Sequence, residues 1–176
     1  MRLAYIPIFI LLFLLGVFTV GLYKEDITGT AMPKETRLMG HQFPDFKLES
    51  YEGADFQTSD LKGKYSIVNI FASWCLSCKL EHKNLIYLKE NYGVDIYGIN
   101  WRDEHKKLKG YLENVGNPYK KIGIDANGEL IIQLGTRGIP ETYVVDPHGK
   151  IVFYQPGLLE EKTAMEIGEK IKARKF

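Results

Sequence analysis

Cysteine is scarce in this chain of 176 residues, with only Cys75 and Cys78, spaced C-x-x-C. Histidine is sparse too: His41, His82, His105 and His148 stand singly, and no H-x3-5-H pattern joins them. A structural zinc site needs four N/S ligands at suitable spacing, so two cysteines as half of such a site are poorly supported and no metal is expected. An excess of one charge sign is also lacking, with Lys+Arg 23 against Asp+Glu 22 and a net charge of +1. No basic excess points to nucleic acid, and no acidic tail points to a disordered partner arm. Low-complexity segments and internal repeats are missing as well.

What is present gathers around Ser73-Trp74-Cys75-Leu76-Ser77-Cys78-Lys79. The apolar run Ile67-Val68-Asn69-Ile70-Phe71 before it reads as a buried strand, and Lys79 to Tyr92 carries a helical pattern. The cysteines therefore fall where a strand hands over to the first turn of a helix. Unpaired N–H groups and the macrodipole favour negative charge there. A thiolate at such a place has a lowered pKa and attacks readily at neutral pH. The second cysteine, one turn on, can close a disulfide with the first, which makes a dithiol/disulfide couple. A purely structural bridge across two residues would stabilise little, because the chain-entropy gain grows with loop length. Two inert buried thiols would leave Trp74 and the helix start unexplained.

From Leu3 to Tyr23 there is no charged residue. At about 1.5 Å per residue this stretch gives roughly 30 Å of helix, the thickness of a hydrocarbon core. Arg2 precedes it, and Lys24, Glu25 and Asp26 follow. The expectation is an uncleaved transmembrane signal anchor over residues 1–23, with a cleavable signal peptide as the alternative. The apolar core is long for a signal peptide, and no good A-x-A site follows it. Either way the redox pair is exported to an oxidising compartment. Residues 24–40, polar with Gly29, Pro33 and Gly40, read as a linker. A single folded domain is expected over 41–176.

Within that domain Phe46–Glu49 alternates as an edge strand, and Phe56 and Leu61 are expected to cover an end of the core. A central strand occupies 65–71. On the following helix Cys78, Glu81, Leu85, Leu88 and Tyr92 share one stripe, while Lys79, His82, Lys83 and Glu90 fall on the solvated side. Gly93 is a C-cap candidate. A strand over Val94–Trp101 comes next, with Ile96 and Ile99 facing the core. Asp103 is a candidate N-cap for a helix carrying Leu108, Leu112 and Val115. A short strand at Lys121–Ile124, a helical turn or two through Leu130, Ile131 and Leu134, and the loop Gly135–Glu141 follow. A hairpin of Thr142–Val145 and Ile151–Tyr154 and a last helix with Ala164, Ile167 and Ile171 on one face complete the chain. The order implies an α/β domain with a mixed sheet and helices on both faces.

These residues resemble the thioredoxin fold and, more narrowly, the membrane-tethered CcmG/DsbE family of cytochrome c maturation. The matching stretches are Asn69-Ile70-Phe71-Ala72-Ser73-Trp74-Cys75, Glu81-His82, Gly116-Asn117-Pro118-Tyr119 and Gly138-Ile139-Pro140-Glu141-Thr142-Tyr143. Two positions depart from the family pattern. Leu76-Ser77 stands where Pro usually follows the first cysteine, and Thr136 where Val is usual.

The resemblance implies a thiol:disulfide oxidoreductase with Cys75 as exposed nucleophile and Cys78 as resolving thiol. Thioredoxins commonly keep a buried Asp where this chain has Asn69, which cannot act as a base. Glu81 is the remaining candidate proton acceptor, unless it is a partly exposed helical carboxylate. Pro140 looks like the cis-proline that faces the pair, with Ile139 offering its backbone to an extended client; an ordinary trans turn proline is the alternative. Glu141 adds acidity near the pair or is a solvated rim residue. Trp74 shields Cys75 or merely packs. By the same resemblance the client is the C-x-x-C of apocytochrome c or a haem-ligation protein, and electrons come from a membrane donor of DsbD/CcdA type. The protein would sit in the inner membrane by a single pass, with its catalytic domain in the periplasm and no bound cofactor. The alternatives are a general periplasmic disulfide oxidoreductase and a non-enzymatic metal chaperone on the same fold.

Overall fold

The computed structural model describes residues 10–19 and 38–176. The chain divides into two units, Met1–Pro33 and Lys34–Phe176. In the first, residues 10–19 form helix α1, whose side chains are all exposed. No helix among the described residues is long and apolar enough to cross a membrane. The rest of the anchor expected over 1–23, and residues 24–37 of the expected linker, lie outside the described residues.

The second unit is built on the six residues Ser66–Phe71, every one of them buried. A continuous run rich in β-branched residues suits a strand covered on both faces. In chain order the strands are β1 (Lys47–Ser50), β2 (Phe56–Gln57), β3 (Ser66–Phe71), β4 (Asp95–Trp101), β5 (Lys121–Asp125), β6 (Glu141–Val145) and β7 (Ile151–Pro156). The helices are α2 (Leu76–Tyr92), α3 (His105–Val115), α4 (Glu129–Leu134) and α5 (Glu161–Ala173). One seven-stranded sheet runs β2-β1-β5-β4-β3-β6-β7. β3 pairs parallel with β4 and antiparallel with β6, so the sheet is mixed. The β3–α2–β4 crossover is the unit that carries the cysteines.

Side chains alternate across β3 and divide the core. Ile67 and Phe71 join Leu85, Leu88, Leu108, Leu112 and Ile167 on the face covered by α2, α3 and α5. Val68 and Ile70 join Leu130, Ile131, Leu134, Tyr143 and Val145 on the opposite face, where α4 packs. Asn69 has the parity of Ile67 and Phe71, so its amide points toward α2. That parity places a polar group inside the apolar layer at the helix carrying the cysteines.

Three expectations need correction. Phe46–Glu49 is not an edge strand: β1 lies between the two-residue β2 and β5. His82 is not solvated but 3% exposed. Asp103 does not cap α3, whose N-cap is Glu104. Instead its carboxylate accepts from Ser73 N–H at 2.5 Å, Ser73 Oγ–H at 2.7 Å and Asn100 Nδ2–H at 3.0 Å. The residue that looked like a cap pins the turn ahead of the cysteines.

Candidate active site

Cys75 is the N-cap of α2, with extended backbone at φ −83° and ψ 117°. Its Sγ accepts the N–H of Cys78 at 3.2 Å, one of the donors a helix start leaves open. Cys75 and Cys78 are joined in a disulfide with Cα atoms 5.3 Å apart. Cys75 is 6% exposed and Cys78 2%. Cys75 is thus the more accessible of the pair, but less open than the expected exposed nucleophile. Its Sγ lies 3.7 Å from the carbonyl oxygen of Ile139. The Ile139–Pro140 peptide is cis, which brings the loop before β6 against the pair.

Trp74, 52% exposed, stands beside the disulfide. Its indole N–H donates to the Arg102 carbonyl at 3.2 Å, and its ring centroid is 6.0 Å from that of Trp101. With Asp103 holding Ser73, the β4–α3 connection fixes both residues that precede Cys75. Trp74, Lys79, Lys107, Tyr111, Asn114 and Val115 help to line a concavity of about 500 Å³ next to the pair.

Glu81 lies one turn after Cys78 on the same stripe of α2 and is fully buried. Residues so spaced are neighbours on a helix, with about 5–6 Å between Cβ atoms. Oε1 accepts from Asn69 Nδ2 at 2.7 Å, and Oε2 accepts the backbone N–H of Leu159 at 2.7 Å. Both donors are neutral, so burial dominates and raises the acid to about 7, opposed by these two hydrogen bonds. A carboxyl group with that affinity can take up and release a proton at neutral pH. Asn69 in turn donates to Thr142 Oγ1 at 3.1 Å, its direct cross-strand partner on β6, and accepts from the Tyr119 hydroxyl at 2.9 Å.

Glu141 is 2% exposed and is no solvated rim residue. Oε2 accepts from the hydroxyls of Thr136 at 2.8 Å and Tyr143 at 2.9 Å, and Oε1 accepts the Arg137 N–H at 3.4 Å. The carboxylate ties both sides of the Ile139–Pro140 loop together. Thr136, where the family pattern has an apolar residue, supplies one of those ties. Gly157 N–H also donates to the Pro140 carbonyl at 2.9 Å, so the segment after β7 braces the same loop.

The sequence singled out Trp74, Cys75, Cys78, Glu81, Ile139, Pro140 and Glu141. It missed Asp103 as a clamp, together with Tyr119, Thr142 and the Leu159 N–H, which surround the Asn69–Glu81 pair. Tyr119 and Thr142 alone among these lay in stretches noted as matches, Gly116–Tyr119 and Gly138–Tyr143.

The AhpC/TSA family matches residues 39–154. The chain is 37% identical over 161 residues to the thiol:disulfide interchange protein HelX of Rhodobacter capsulatus, covering 90% of this chain and 89% of that one. It is 37% identical over 166 residues to DsbE of Pseudomonas aeruginosa, covering 89% of each. CycY of Rhizobium leguminosarum is 36% identical over 139 residues, covering 77% of this chain and 75% of its own. Among solved structures, a secreted thiol-disulfide isomerase from Corynebacterium glutamicum superposes with a TM-score of 0.66 at 23% identity, over 75% of this chain and 86% of that one. That likeness bears on the fold alone. Fold, cysteine geometry and relatives converge, and the chain belongs to the thioredoxin-like AhpC/TSA family and, among its members, with the DsbE/HelX/CycY thiol:disulfide interchange proteins, as a thiol:disulfide oxidoreductase.

Proposed function

We propose that the protein is a membrane-anchored periplasmic reductant of the disulfide in apocytochrome c, or in a haem-ligation partner, during c-type cytochrome biogenesis. The observation that carries this reading is similarity to DsbE-type relatives along nearly the full chain. An alignment over 90% of the chain needs more than residues 38–176 supply, so it reaches into the apolar N-terminal stretch. Helix α1 is consistent with an anchor: residues 10–18 carry no polar side chain and the whole helix is exposed, as suits a lipid surrounding.

Reduced Cys75, stabilised as a thiolate by the Cys78 N–H and the start of α2, attacks one sulfur of the client disulfide. The client's other sulfur leaves as a thiolate. Cys78 then loses its proton to the Glu81 carboxylate and attacks Cys75 Sγ, releasing the second client thiol and closing the Cys75–Cys78 disulfide. Two electrons pass from dithiol to client. A membrane donor of DsbD/CcdA type returns them. Trp74, Ile139 and the concavity beside Trp74 form the surface that meets the client.

Cys78→Ser removes the resolving thiol and leaves Cys75 joined to whatever it attacks. Mass spectrometry of adducts from membranes and exported proteins is expected to find apocytochrome c or haem-ligation proteins as the main species. A broad set of unrelated exported proteins would instead mean a general thiol oxidoreductase and overturn the specific reading.

A further inference from the structure

His82 follows Glu81 directly and points into the protein, yet the exchange steps give it no part. Its Nε2 lies 3.0 Å from the Gly116 carbonyl oxygen, and its Nδ1 lies 2.7 Å from the Tyr111 hydroxyl. A carbonyl can only accept, so Nε2 carries the proton and the bare Nδ1 accepts from Tyr111. Both ring nitrogens are satisfied in the neutral form, and burial also favours that form.

Gly116 ends α3 at a φ of +87°, and the chain turns there toward Tyr119. The turn is held by Lys89 Nζ donating to the Asn117 carbonyl at 2.9 Å and by Tyr119 N–H donating to Asn117 Oδ1 at 3.0 Å. Tyr119 stacks on Phe71 with ring centroids 4.5 Å apart and an interplanar angle of 19°. Its hydroxyl donates to Asn69 Oδ1 at 2.9 Å, and Asn69 Nδ2 donates to Glu81 Oε1 at 2.7 Å. These hydrogen bonds, joined by the backbone from Gly116 to Tyr119, form a ring that leaves α2 at His82 and returns to it at Glu81.

We infer that His82 is a positioning residue for its neighbour Glu81, acting through Gly116, Tyr119 and Asn69 rather than by touching the reacting sulfurs. Asn69 is fully buried, so water cannot stand in for the Tyr119 hydroxyl. Without that hydroxyl, Asn69 Oδ1 is left unpaired, and the amide loses both an anchor and the polarisation that strengthens its donor. A displaced or weaker Asn69 donor leaves the Glu81 carboxylate less stabilised. The inference rests on the reading of Glu81 as proton acceptor for Cys78. The titratable groups facing that carboxyl are Cys78 of α2, Tyr111 of α3 and Tyr119, while the adjacent His82 ring bonds Gly116 and Tyr111.

The test uses the full reduced chain and a synthetic peptide closed by an intramolecular C-x-x-C disulfide, which requires no particular client. Formation of the mixed disulfide and its release by Cys78 are timed separately from pH 5 to 9. The Asn69 hydrogen bond lowers the Glu81 pKa, so its loss moves the release profile to higher pH. Tyr119→Phe and His82→Leu are expected to slow release at pH 7 about twofold, the effect of a half-unit rise on a group that titrates near that pH, and to leave attack by Cys75 unchanged. His82→Gln, whose amide can still donate to Gly116, is expected to keep the wild-type profile. Wild-type release profiles in Tyr119→Phe or in folded His82→Leu would overturn the inference. Should His82→Leu fail to fold, Tyr119→Phe decides alone. Glu81→Gln separates the two levels: an unchanged profile there sinks the acceptor reading and the inference with it. A lost midpoint there, with Tyr119→Phe unaffected, sinks only the inference.

Discussion

Two adjacent side chains pull the stability of the domain in opposite directions as pH changes. Burial raises Glu81 from 4.5 to about 7, so the folded state holds a proton that the unfolded state has released between those values. Its contribution is complete below pH 4.5 and is lost as pH rises through 7. Burial lowers His82 below 6.5, so its contribution is present above 6.5 and is lost as pH falls through the lower folded value. The two windows overlap below pH 6.5, where the opposed slopes should make the wild-type profile shallower than that of either variant. Removing one group should unmask the other. In the oxidised protein, Glu81→Gln is expected to gain stability from pH 5 to 7. His82→Gln is expected to lose stability over pH 5 to 8, with a full Glu81 contribution on the order of 3 kcal/mol. Urea unfolding at each pH measures both slopes, and slopes equal to wild type in both variants would refute the opposition. Glu81 was legible because it shares a helical stripe with Cys78. His82 was not, because it lies one residue off that stripe. Its partners, Tyr111 and Gly116, come 29 and 34 residues later in the chain.

At the scale of elements, the register of three strands builds the floor of the site. Asn69 on β3 faces Thr142 of β6 on one side and Gly98 of β4 on the other. Thr142 provides a hydroxyl, while Gly98 provides room. A Cβ on Gly98 would come to 2.8 Å from Phe71 Cε1 and 3.1 Å from Tyr119 Cδ1. Neither ring has space to retreat, since both are buried and stacked on each other. Gly98→Ala is therefore expected to cost about 1–3 kcal/mol by overpacking. It should also displace the Tyr119 hydroxyl from Asn69 and slow release of the mixed disulfide. Denaturant unfolding combined with the release assay checks both effects; a neutral variant would mean that the stack can shift freely. The strands themselves were readable from their apolar runs, including the hairpin of β6 and β7. The place of β1 was not, because its outer neighbour β2 is two residues long and carries no periodic signal. Asp103 misled for a related reason. An acidic residue ahead of a helix is a usual cap, and only the sheet order brings Ser73 close enough to take its carboxylate instead.

For the whole molecule, the apolar layers on both faces of the sheet are assembled from residues within Lys34–Phe176. The large apolar residues of helix α1, Ile10 to Phe18, are each more than half exposed. Water is a poor surrounding for such a helix, since each fully exposed Leu or Phe forgoes about 1.5–3 kcal/mol of burial. The net charge of +1 supplies little attraction to anionic lipids. Any membrane association should therefore be hydrophobic and insensitive to salt. Full-length protein is expected to sediment with membranes even in about 1 M salt, where the screening length falls to about 3 Å. A chain beginning at Leu38 is expected to stay in the soluble fraction. It should keep its exchange activity on a small disulfide and its unfolding free energy to within about 0.5 kcal/mol, as suits a change remote from the core. Salt-released full-length protein would mean an electrostatic contact in place of an anchor. A truncated chain with lowered stability would mean that residues before Leu38 belong to the fold, and the separation of tether from catalyst would fail.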